Sequence, residues 1–286
     1  MPELPEVETV ARTLYPLVHN AVLESAKILR PSSLHAASIP PDSLCGCRIG
    51  TVRRRGKLLL LELDAANAHN AAVRGMPDLV LAVHLRMTGR LTVRSGQEQP
   101  GPHTRCVFAL RTPNGAAAQL FFDDIRAFGV VLAATPAILQ QWSFWRELGP
   151  EPLDLDENGF AACLAGRKGA LKAALLDQRV IAGIGNIYAD ESLFAARLDP
   201  RRRADTLTAK QRGGLLRSLK AVLWQSIAQC GSSIRDYRDA NGNVGAFQNS
   251  FAVYGRGGLP CRICGRPLGK IRVAGRGTVF CPRCQK

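Results

Sequence analysis

Four cysteines near the end of the sequence form the clearest chemical pattern in the chain. They are Cys261, Cys264, Cys281 and Cys284, spaced as C-x2-C-x16-C-x2-C. Each pair can occupy one edge of a tetrahedron, and four thiolates complete it without leaving an open position. We therefore predict one structural zinc ion, which allows a segment too short to bury a sufficient core to fold.

The segment around these cysteines is strongly basic. Residues 254–286 contain eight Lys or Arg and no Asp or Glu, about half of the formal net charge of +15. Residues 273–279 predict a β-hairpin between the two cysteine pairs, with Arg276 presented outward at its tip. A basic zinc ribbon of this kind is a candidate for binding nucleic acid.

The residues at the start of the chain offer a different chemistry. If Met1 is removed, Pro2 becomes a free secondary amine, and α-amino groups titrate low enough for a usable fraction to be an unprotonated nucleophile. Attack on a sugar C1′ would give an iminium ion, an electron sink that drives elimination of the 3′-phosphate. Glu3 and Glu6 could supply the protons. From these residues alone, an ordinary helix start is the favoured interpretation, because acids are stabilising in a first turn.

Overall composition narrows the class of partner and the compartment. The chain has 38 basic and 23 acidic residues, an excess that favours a polyanionic partner, with a surplus for solubility as the alternative. No apolar run is long enough to span a membrane. The first residues lack a basic segment and an apolar stretch, so we expect no signal peptide and a cytoplasmic protein. The remaining five cysteines, including the close pair Cys45 and Cys47, are expected to be ordinary thiols in a reducing compartment.

The order of predicted elements indicates an α+β multidomain protein. Apolar residues at helical spacing predict a helix over residues 4–14, and the following half alternates like strands, which indicates a β-sandwich flanked by helices. The second half predicts helices and then the zinc ribbon. The predicted strands are 21–29, 48–52, 57–63, 79–85, 90–93, 106–111, 118–122 and 129–134; the predicted helices are 137–148, 157–164, 170–176, 186–196 and 209–229.

Two connecting segments of the second half are of interest. The sequence Gly183-Ile184-Gly185-Asn186 predicts a tight turn between two helices, which could present backbone N–H groups to a phosphate or be a plain helical hairpin. Residues 232–252 are rich in Gly, Asn and Ser and predict a mobile loop.

Taken together, several motifs in one order resemble the formamidopyrimidine-DNA glycosylases along the full chain. These enzymes excise 8-oxoguanine and ring-opened purines from DNA and then cut the strand. The motifs are Pro2-Glu3-Leu4-Pro5-Glu6-Val7-Glu8-Thr9, Arg54-Arg55-Gly56-Lys57, His84-Leu85-Arg86-Met87-Thr88-Gly89, Asp124-Ile125-Arg126-Ala127-Phe128-Gly129, Gly183-Ile184-Gly185-Asn186-Ile187-Tyr188-Ala189, Tyr254-Gly255-Arg256 and the four cysteines.

The resemblance implies a catalytic role for four residues and a supporting role for a fifth. Pro2 would be the Schiff-base nucleophile and Glu3 the general acid and base, with Glu6 supporting them. Lys57 matches a lysine that contacts phosphate beside the lesion and assists elimination. Arg276 matches an arginine of the zinc ribbon that holds the flanking phosphates and assists the second, δ-elimination.

Further positions match contacts with damaged double-stranded DNA. Asn186 matches a phosphate contact of a helix–two-turns–helix domain. Met87, Arg126 and Phe128 match three side chains inserted where the damaged base leaves, although composition alone favours core packing for Met87 and Phe128. His103, Arg126 and Lys168 match other DNA contacts.

The sequence departs from the family pattern at four places. Arg86 stands where Gly is usual, Ala127 where a second Arg is common, and Arg105 where a second His follows His103. Residues 65–77 resemble an insertion and predict a surface loop. These differences bear on affinity and lesion preference, since none touches the implied catalytic residues or the zinc ligands.

The resemblance also sets the expected domain limits and the competing functions. We expect a catalytic β-sandwich domain at 1–135, a helix–two-turns–helix domain at 150–236, a flexible lesion-capping loop at 237–253 and a zinc ribbon at 254–286. The protein would act as a cytoplasmic, nucleoid-associated monomer. The alternatives are an endonuclease VIII-like glycosylase for oxidised pyrimidines and a non-catalytic DNA-binding protein; Leu4 and the trio Met87, Arg126 and Phe128 favour the purine enzyme.

Overall fold

The computed structural model describes residues 1–234 and 236–286. Arg235, which falls within both the predicted domain 150–236 and the predicted loop 232–252, lies outside the described residues. The chain forms two compact units. The first comprises Met1–Pro2, Glu6–Arg146 and Ser232–Gly245, and the second comprises Glu3–Pro5, Glu147–Gly231 and Ala246–Lys286.

The first unit contains all eight predicted strands. They are β1 (Val22–Ile28), β2 (Arg48–Arg55), β3 (Leu58–Asp64), β4 (Leu79–His84), β5 (Gly89–Ser95), β6 (Thr104–Arg111), β7 (Ala117–Asp124) and β8 (Val130–Ala134). They form one antiparallel sheet in the order β5-β7-β6-β1-β2-β3-β4-β8. The pairs β2–β3 and β6–β7 are hairpins with short loops, whereas β1–β6, β5–β7 and β4–β8 join strands that are not consecutive in sequence.

β1 and β2 are paired at one position, Val22 opposite Arg48. At this junction the sheet folds into the two layers of a sandwich. Buried side chains of both halves then belong to one core, among them Phe108 and Phe122 from one half and Leu61 from the other. The first helix, α1 (Leu4–Val18), adds its apolar side to this core from Val7 onward. The predicted β-sandwich is confirmed.

The run of leucines in β3 is buried on both faces. Leu59 and Leu61 point to the sandwich core, whereas Leu58 and Leu60 pack in a second cluster with Trp142. The prediction of one helix over 137–148 is wrong, because the chain forms α2 (Pro136–Gln141) and α3 (Ser143–Arg146). Trp142 adopts an extended conformation (ψ 109°) between them, which places its ring in that cluster.

The segment 65–77 contains no helix or strand, as a loop prediction requires. It is not entirely a surface feature, however. Ala65, Ala68 and Val73 are buried and belong to the sandwich core. The insertion therefore extends the core as well as the surface.

The second unit is mainly helical. Its helices are α4 (Glu157–Leu164), α5 (Leu171–Leu176), α6 (Asn186–Ala195) and α7 (Ala209–Ala228). A capping box between Thr208 and Gln211 fixes the start of α7, and the Asp156 side chain caps α4. Among the described residues, no helix has both the length and the apolar character that a membrane span requires.

The basic segment at the end of the second unit forms the predicted hairpin, β9 (Gly269–Val273) and β10 (Arg276–Phe280). Ala274 and Gly275 both have positive φ angles, +50° and +71°, as a two-residue type I′ turn requires. Arg276 is exposed and directly follows this turn. Its expected place at the hairpin tip is thus correct.

Candidate functional site

In the second unit, Glu3 is bound at the start of helix α6. Its side chain is buried, and its carboxylate accepts hydrogen bonds from the backbone N–H groups of Ile187 (3.0 Å) and Tyr188 (3.4 Å). The first N–H groups of a helix have no partner within the helix, and the helix dipole favours an anion there. The tight turn predicted before α6 therefore holds a carboxylate of the chain itself.

Gly185 makes this arrangement possible. A Cβ built at Gly185 would lie 2.3 Å from Cδ of Glu3 and 2.5 Å from Oε1. Any larger residue would thus displace the carboxylate. The neighbouring Gly183 has φ +86°, and its carbonyl accepts a hydrogen bond from the Leu4 N–H at 3.0 Å. Residues 3 and 4 are therefore both held by the turn 183–185.

Glu6 has a separate partner in the first unit. Its side chain is 1% exposed and accepts from the backbone N–H (2.8 Å) and the hydroxyl (3.0 Å) of Ser232. These bonds fix the beginning of the segment Ser232–Gly245. Further along this segment, Tyr237 and Ala240 are buried in the sandwich core.

Lys57 lies in the two-residue loop between β2 and β3. Gly56, the first residue of this loop, has φ +57°, a conformation that suits glycine. Lys57 is nevertheless only 5% exposed, which is unusual for a turn lysine. Burial lowers the pKa of nearby His84 to about 3, and the charges of Arg86 and Lys57 add to the shift. His84 is therefore neutral at physiological pH, and its Nδ1 accepts from the Arg86 N–H at 3.0 Å.

The predicted trio Met87, Arg126 and Phe128 lies at the surface of the first unit. Met87 is 38% exposed and Phe128 is 54% exposed, so neither is a core residue. The guanidinium of Arg126 lies 4.8 Å from the centre of the Phe128 ring. A cation over an aromatic face stabilises this pair at the surface.

Asp124 holds the two loops that carry the trio. Its carboxylate accepts hydrogen bonds from the Thr88 hydroxyl, from the Arg126 N–H (3.2 Å) and from the Gly129 N–H (2.7 Å). Arg105 adds a bond from Nε to the Asp124 carbonyl at 2.7 Å and is itself buried. The departure from His at position 105 is thus explained by a structural role beneath the loop.

Two of the other departures occupy left-handed backbone. Arg86 has φ +52° and Ala127 has φ +54°. Glycine is the residue that adopts this region without strain, so Arg86 and Ala127 hold a backbone conformation that is costly for a residue with a Cβ. The Arg86 guanidinium lies 5.7 Å from the centre of the Phe144 ring.

The remaining predicted DNA contacts lie in loops or at element ends. His103 is exposed just before β6, and Lys168 is exposed between α4 and α5. Asn186 is the first residue of α6, and its Nδ2 donates to the Gly277 carbonyl at 3.0 Å. Asn186 therefore joins the start of α6 to the hairpin that carries Arg276.

The four cysteines form a centre that fits one zinc ion. Their Sγ atoms all lie within 4.8 Å of one another, with 3.9 Å between Cys261 and Cys284 and 3.5 Å between Cys264 and Cys281. A tetrahedron with Zn–S bonds of about 2.3 Å has sulfur atoms about 3.8 Å apart. The backbone N–H of Ile263 and that of Cys284 also point to ligand sulfurs. The predicted structural zinc site is confirmed.

Some residues that position these groups were not identified from the sequence. Asp124 was part of a motif but had no assigned role, and the buried pair Lys172 and Asp190 was not singled out. Charged residues in helices are normally exposed, and only the three-dimensional structure reveals that these are buried.

Three family models match the chain in sequence order. They are the formamidopyrimidine-DNA glycosylase N-terminal domain (residues 1–131), the formamidopyrimidine-DNA glycosylase H2TH domain (148–238) and a zinc finger found in FPG and IleRS (258–286). Together they cover most of the chain.

Relatives and solved structures agree with these matches. The formamidopyrimidine-DNA glycosylase of Nitratidesulfovibrio vulgaris is 41% identical over the whole of both chains, and that of Moorella thermoacetica is 45% identical over 95% of both. The MutM (Fpg) crystal structure from Thermus thermophilus is 41% identical with a TM-score of 0.84, covering 99% of this chain and 98% of that one. A Lactococcus lactis Fpg mutant bound to Fapy-dG-containing DNA is 33% identical with a TM-score of 0.86 over 100% of both. The chain belongs to the formamidopyrimidine-DNA glycosylase family.

Replacement of a zinc ligand should release the metal. We expect Cys281→Ser to lose the zinc that the wild type binds at one ion per chain, because a closed thiolate site loses a ligand. The control is Cys230→Ser, at an exposed cysteine outside the cluster. Metal analysis of purified protein measures both. Full zinc content in Cys281→Ser would show that the centre is assigned incorrectly. Binding of damaged duplex is measured on the same samples. If zinc-free Cys281→Ser bound damaged duplex normally, the zinc ribbon would not be part of the DNA-binding surface.

Proposed function

We propose that the protein acts in base excision repair as a bifunctional DNA glycosylase and AP lyase. It would excise oxidised purines, 8-oxoguanine and formamidopyrimidines, from double-stranded DNA and then cut the strand by β,δ-elimination. The observation that carries the proposal is the position of the Glu3 carboxylate. It is buried and bound to the first turn of α6, and Glu3 directly follows Pro2 in the sequence. This placement keeps an acid–base group beside a secondary amine.

In the first step the Pro2 nitrogen attacks C1′ of the damaged nucleotide. The C1′–N bond to the base breaks and its electron pair leaves with the base, which takes up the proton that the Pro2 nitrogen loses as it bonds to C1′. Opening of the sugar ring forms the iminium ion between Pro2 and C1′, and a proton goes to the ring oxygen. Glu3 fits the role of carrying this proton, because the Ile187 and Tyr188 N–H groups hold its carboxylate in one orientation.

In the second step the iminium ion accepts electrons. Loss of a C2′ proton forms a C=C bond while the C3′–O bond breaks and releases the 3′-phosphate. In δ-elimination, loss of the C4′ proton then forms a second C=C bond while the C5′–O bond breaks and releases the 5′-phosphate. Lys57 and Arg276 are proposed to bind the phosphates that leave. Their different settings, Lys57 buried and Arg276 exposed, suit separate contacts.

The surface trio is proposed to fill the space of the extruded base. Removing a base from the stack costs a few kcal/mol, and inserted side chains offset part of this cost. Exposure of Met87 and Phe128, with Arg126 over the Phe128 ring, supports this role. His103, Lys168 and Asn186 are proposed as phosphate contacts, and residues 237–253 as the segment that caps the lesion.

The oligomeric state and the cellular location of the protein belong to the proposed function. We propose a monomer that works on the nucleoid in the cytoplasm, with its four predicted regions at 1–135, 150–236, 237–253 and 254–286. It also requires a mature chain that begins at Pro2, since a retained Met1 would make the proline nitrogen an unreactive amide. The mass of the intact purified protein checks this condition.

Borohydride trapping separates the competing functions. We expect a reduced covalent complex with a duplex that contains 8-oxoguanine opposite cytosine, because the iminium ion is reducible. A duplex with an oxidised pyrimidine is the comparison, and undamaged duplex is the control. Preferential trapping on the pyrimidine lesion would select the endonuclease VIII-like function, and no adduct with either lesion would leave only a non-catalytic DNA-binding protein.

Gly185→Ala tests the position of the Glu3 carboxylate. The added Cβ would overlap Glu3, so we expect the single-turnover excision rate to fall by about 100-fold. Gly214→Ala is the matched control, since its Cβ would meet nothing within 4 Å, and it should retain the wild-type rate. A wild-type rate in Gly185→Ala would mean that this carboxylate geometry is not needed.

Binding of damaged duplex should depend steeply on salt. The logarithm of the association constant should fall linearly with the logarithm of salt concentration, by about 0.9 for each neutralised phosphate. Arg276→Ala should reduce the slope by about 1, whereas Arg203→Ala should not, because Arg203 is engaged by Asp205 at 2.7 Å. Fluorescence anisotropy at several salt concentrations measures the slope; a flat dependence would contradict binding through phosphates.

A further inference from the structure

A buried ion pair in the second unit has no part in the chemistry proposed above. Lys172 of α5 and Asp190 of α6 lie 2.7 Å apart, with side chains that are 0% and 1% exposed. Neither residue can reach solvent or DNA as a surface charge. Their role must therefore lie in what they bind inside the unit.

Both residues bind strand β10 directly after Arg276. The Lys172 ammonium donates to the Gly277 carbonyl (3.1 Å) and to the Thr278 hydroxyl (2.7 Å), and the Asp190 carboxylate accepts from the Val279 N–H (3.1 Å). Three successive residues of the strand are thus held by one ion pair.

The hydroxyl of Thr278 extends this network to Arg276. It donates to the Arg276 carbonyl at 3.1 Å while it accepts from Lys172. The backbone of Arg276 is therefore connected to α5 and α6 through a single side chain. The Arg276 side chain itself remains exposed.

The cost of burying Lys172 and Asp190 indicates why charged residues are needed at these positions. Burial raises the pKa of Asp190 to about 6 and lowers the pKa of Lys172, which shows that the surroundings disfavour both charges. Apolar residues of similar size can often replace a buried ion pair without loss of stability. They cannot, however, hydrogen-bond a carbonyl, a hydroxyl and an N–H group of a neighbouring strand.

We propose that Lys172 and Asp190 are positioning residues that orient Arg276 for phosphate binding and for the second elimination. This inference rests on the proposed function, because it assigns the pair to Arg276 of that site. Loss of the pair should impair δ-elimination while the formation of the iminium ion, which needs Pro2 and Glu3, continues.

The test replaces both charges at once by Lys172→Met with Asp190→Leu, which leaves no unpaired buried charge. The matched control is Arg217→Met with Glu157→Leu, an exposed ion pair of 2.6 Å between α7 and α4. On a duplex with an abasic site, we measure trapped complex and the ratio of δ- to β-elimination products. Zinc content and urea unfolding are measured on the same samples.

We expect the double variant to bind one zinc ion and to trap at the wild-type level, with a δ-to-β ratio lowered about tenfold. The control should retain the wild-type ratio. In an Arg276→Ala background the double variant should cause no further decrease, because residues that act through one group are not additive. A further decrease there, which a merely structural role would produce, overturns the proposal.

A wild-type ratio in a folded double variant also overturns it. If the double variant does not fold, Thr278→Val decides, since it removes only the hydroxyl that joins Lys172 to the Arg276 carbonyl. The δ-to-β ratio should again fall, and an unchanged ratio contradicts the proposal. A wild-type chain that neither traps nor cuts DNA would instead overturn the proposed function, and this inference with it.

Discussion

The site depends on one interaction, the binding of the Glu3 carboxylate by the first N–H groups of α6. A charged side chain is costly to bury unless hydrogen bonds replace its water. Ile187 and Tyr188 supply those bonds, and the absence of a side chain at Gly185 supplies the space. Leu4, fully buried and bonded through its N–H to Gly183, prevents the chain from moving away. Because Pro2 is joined to Glu3 by one peptide bond, fixing Glu3 also limits where the Pro2 nitrogen can be.

Besides Glu3, helix α6 binds several other parts of the second unit. Its start binds Glu3, its Asn186 reaches the hairpin, and its Asp190 completes the buried ion pair. The next residue, Glu191, accepts from three successive backbone N–H groups, those of residues 252–254, which lead into the zinc ribbon. A buried polar network that is satisfied in this way specifies one arrangement of its strands and loops. The helix thus buries apolar residues such as Tyr188 and Leu193 in the core, while its polar residues fix the positions of groups proposed to contact DNA.

Much of this architecture could be predicted from sequence because it depends on the types and spacing of residues that are close together in the chain. Alternation in several segments, together with bounding Gly, Pro and Asn residues, predicted the strands of the sandwich, and cysteine spacing predicted the zinc centre. The break at Trp142 was missed, since the apolar pattern of 137–148 is continuous and only tertiary packing of the ring interrupts the helix. Likewise, Ala65, Ala68 and Val73 resemble loop residues until their burial is known.

The positioning groups were harder to predict for a physical reason. Lys172 and Asp190 are helix residues far from Thr278 in sequence, and no local period relates them. Arg105 could be recognised as a departure from the family pattern, but its bond to the Asp124 carbonyl is a long-range contact. The residues proposed for catalysis and metal binding could be predicted from residue type and motif. The residues that hold them in position follow only from the fold.

The central claim is that the Pro2 nitrogen is the nucleophile. It is tested most directly by digesting the borohydride-reduced complex with 8-oxoguanine DNA and locating the sugar remnant by mass spectrometry of the peptides. The remnant should be on the N-terminal peptide, attached to the nitrogen of Pro2. Attachment to Lys57, or to any other residue, would contradict the account.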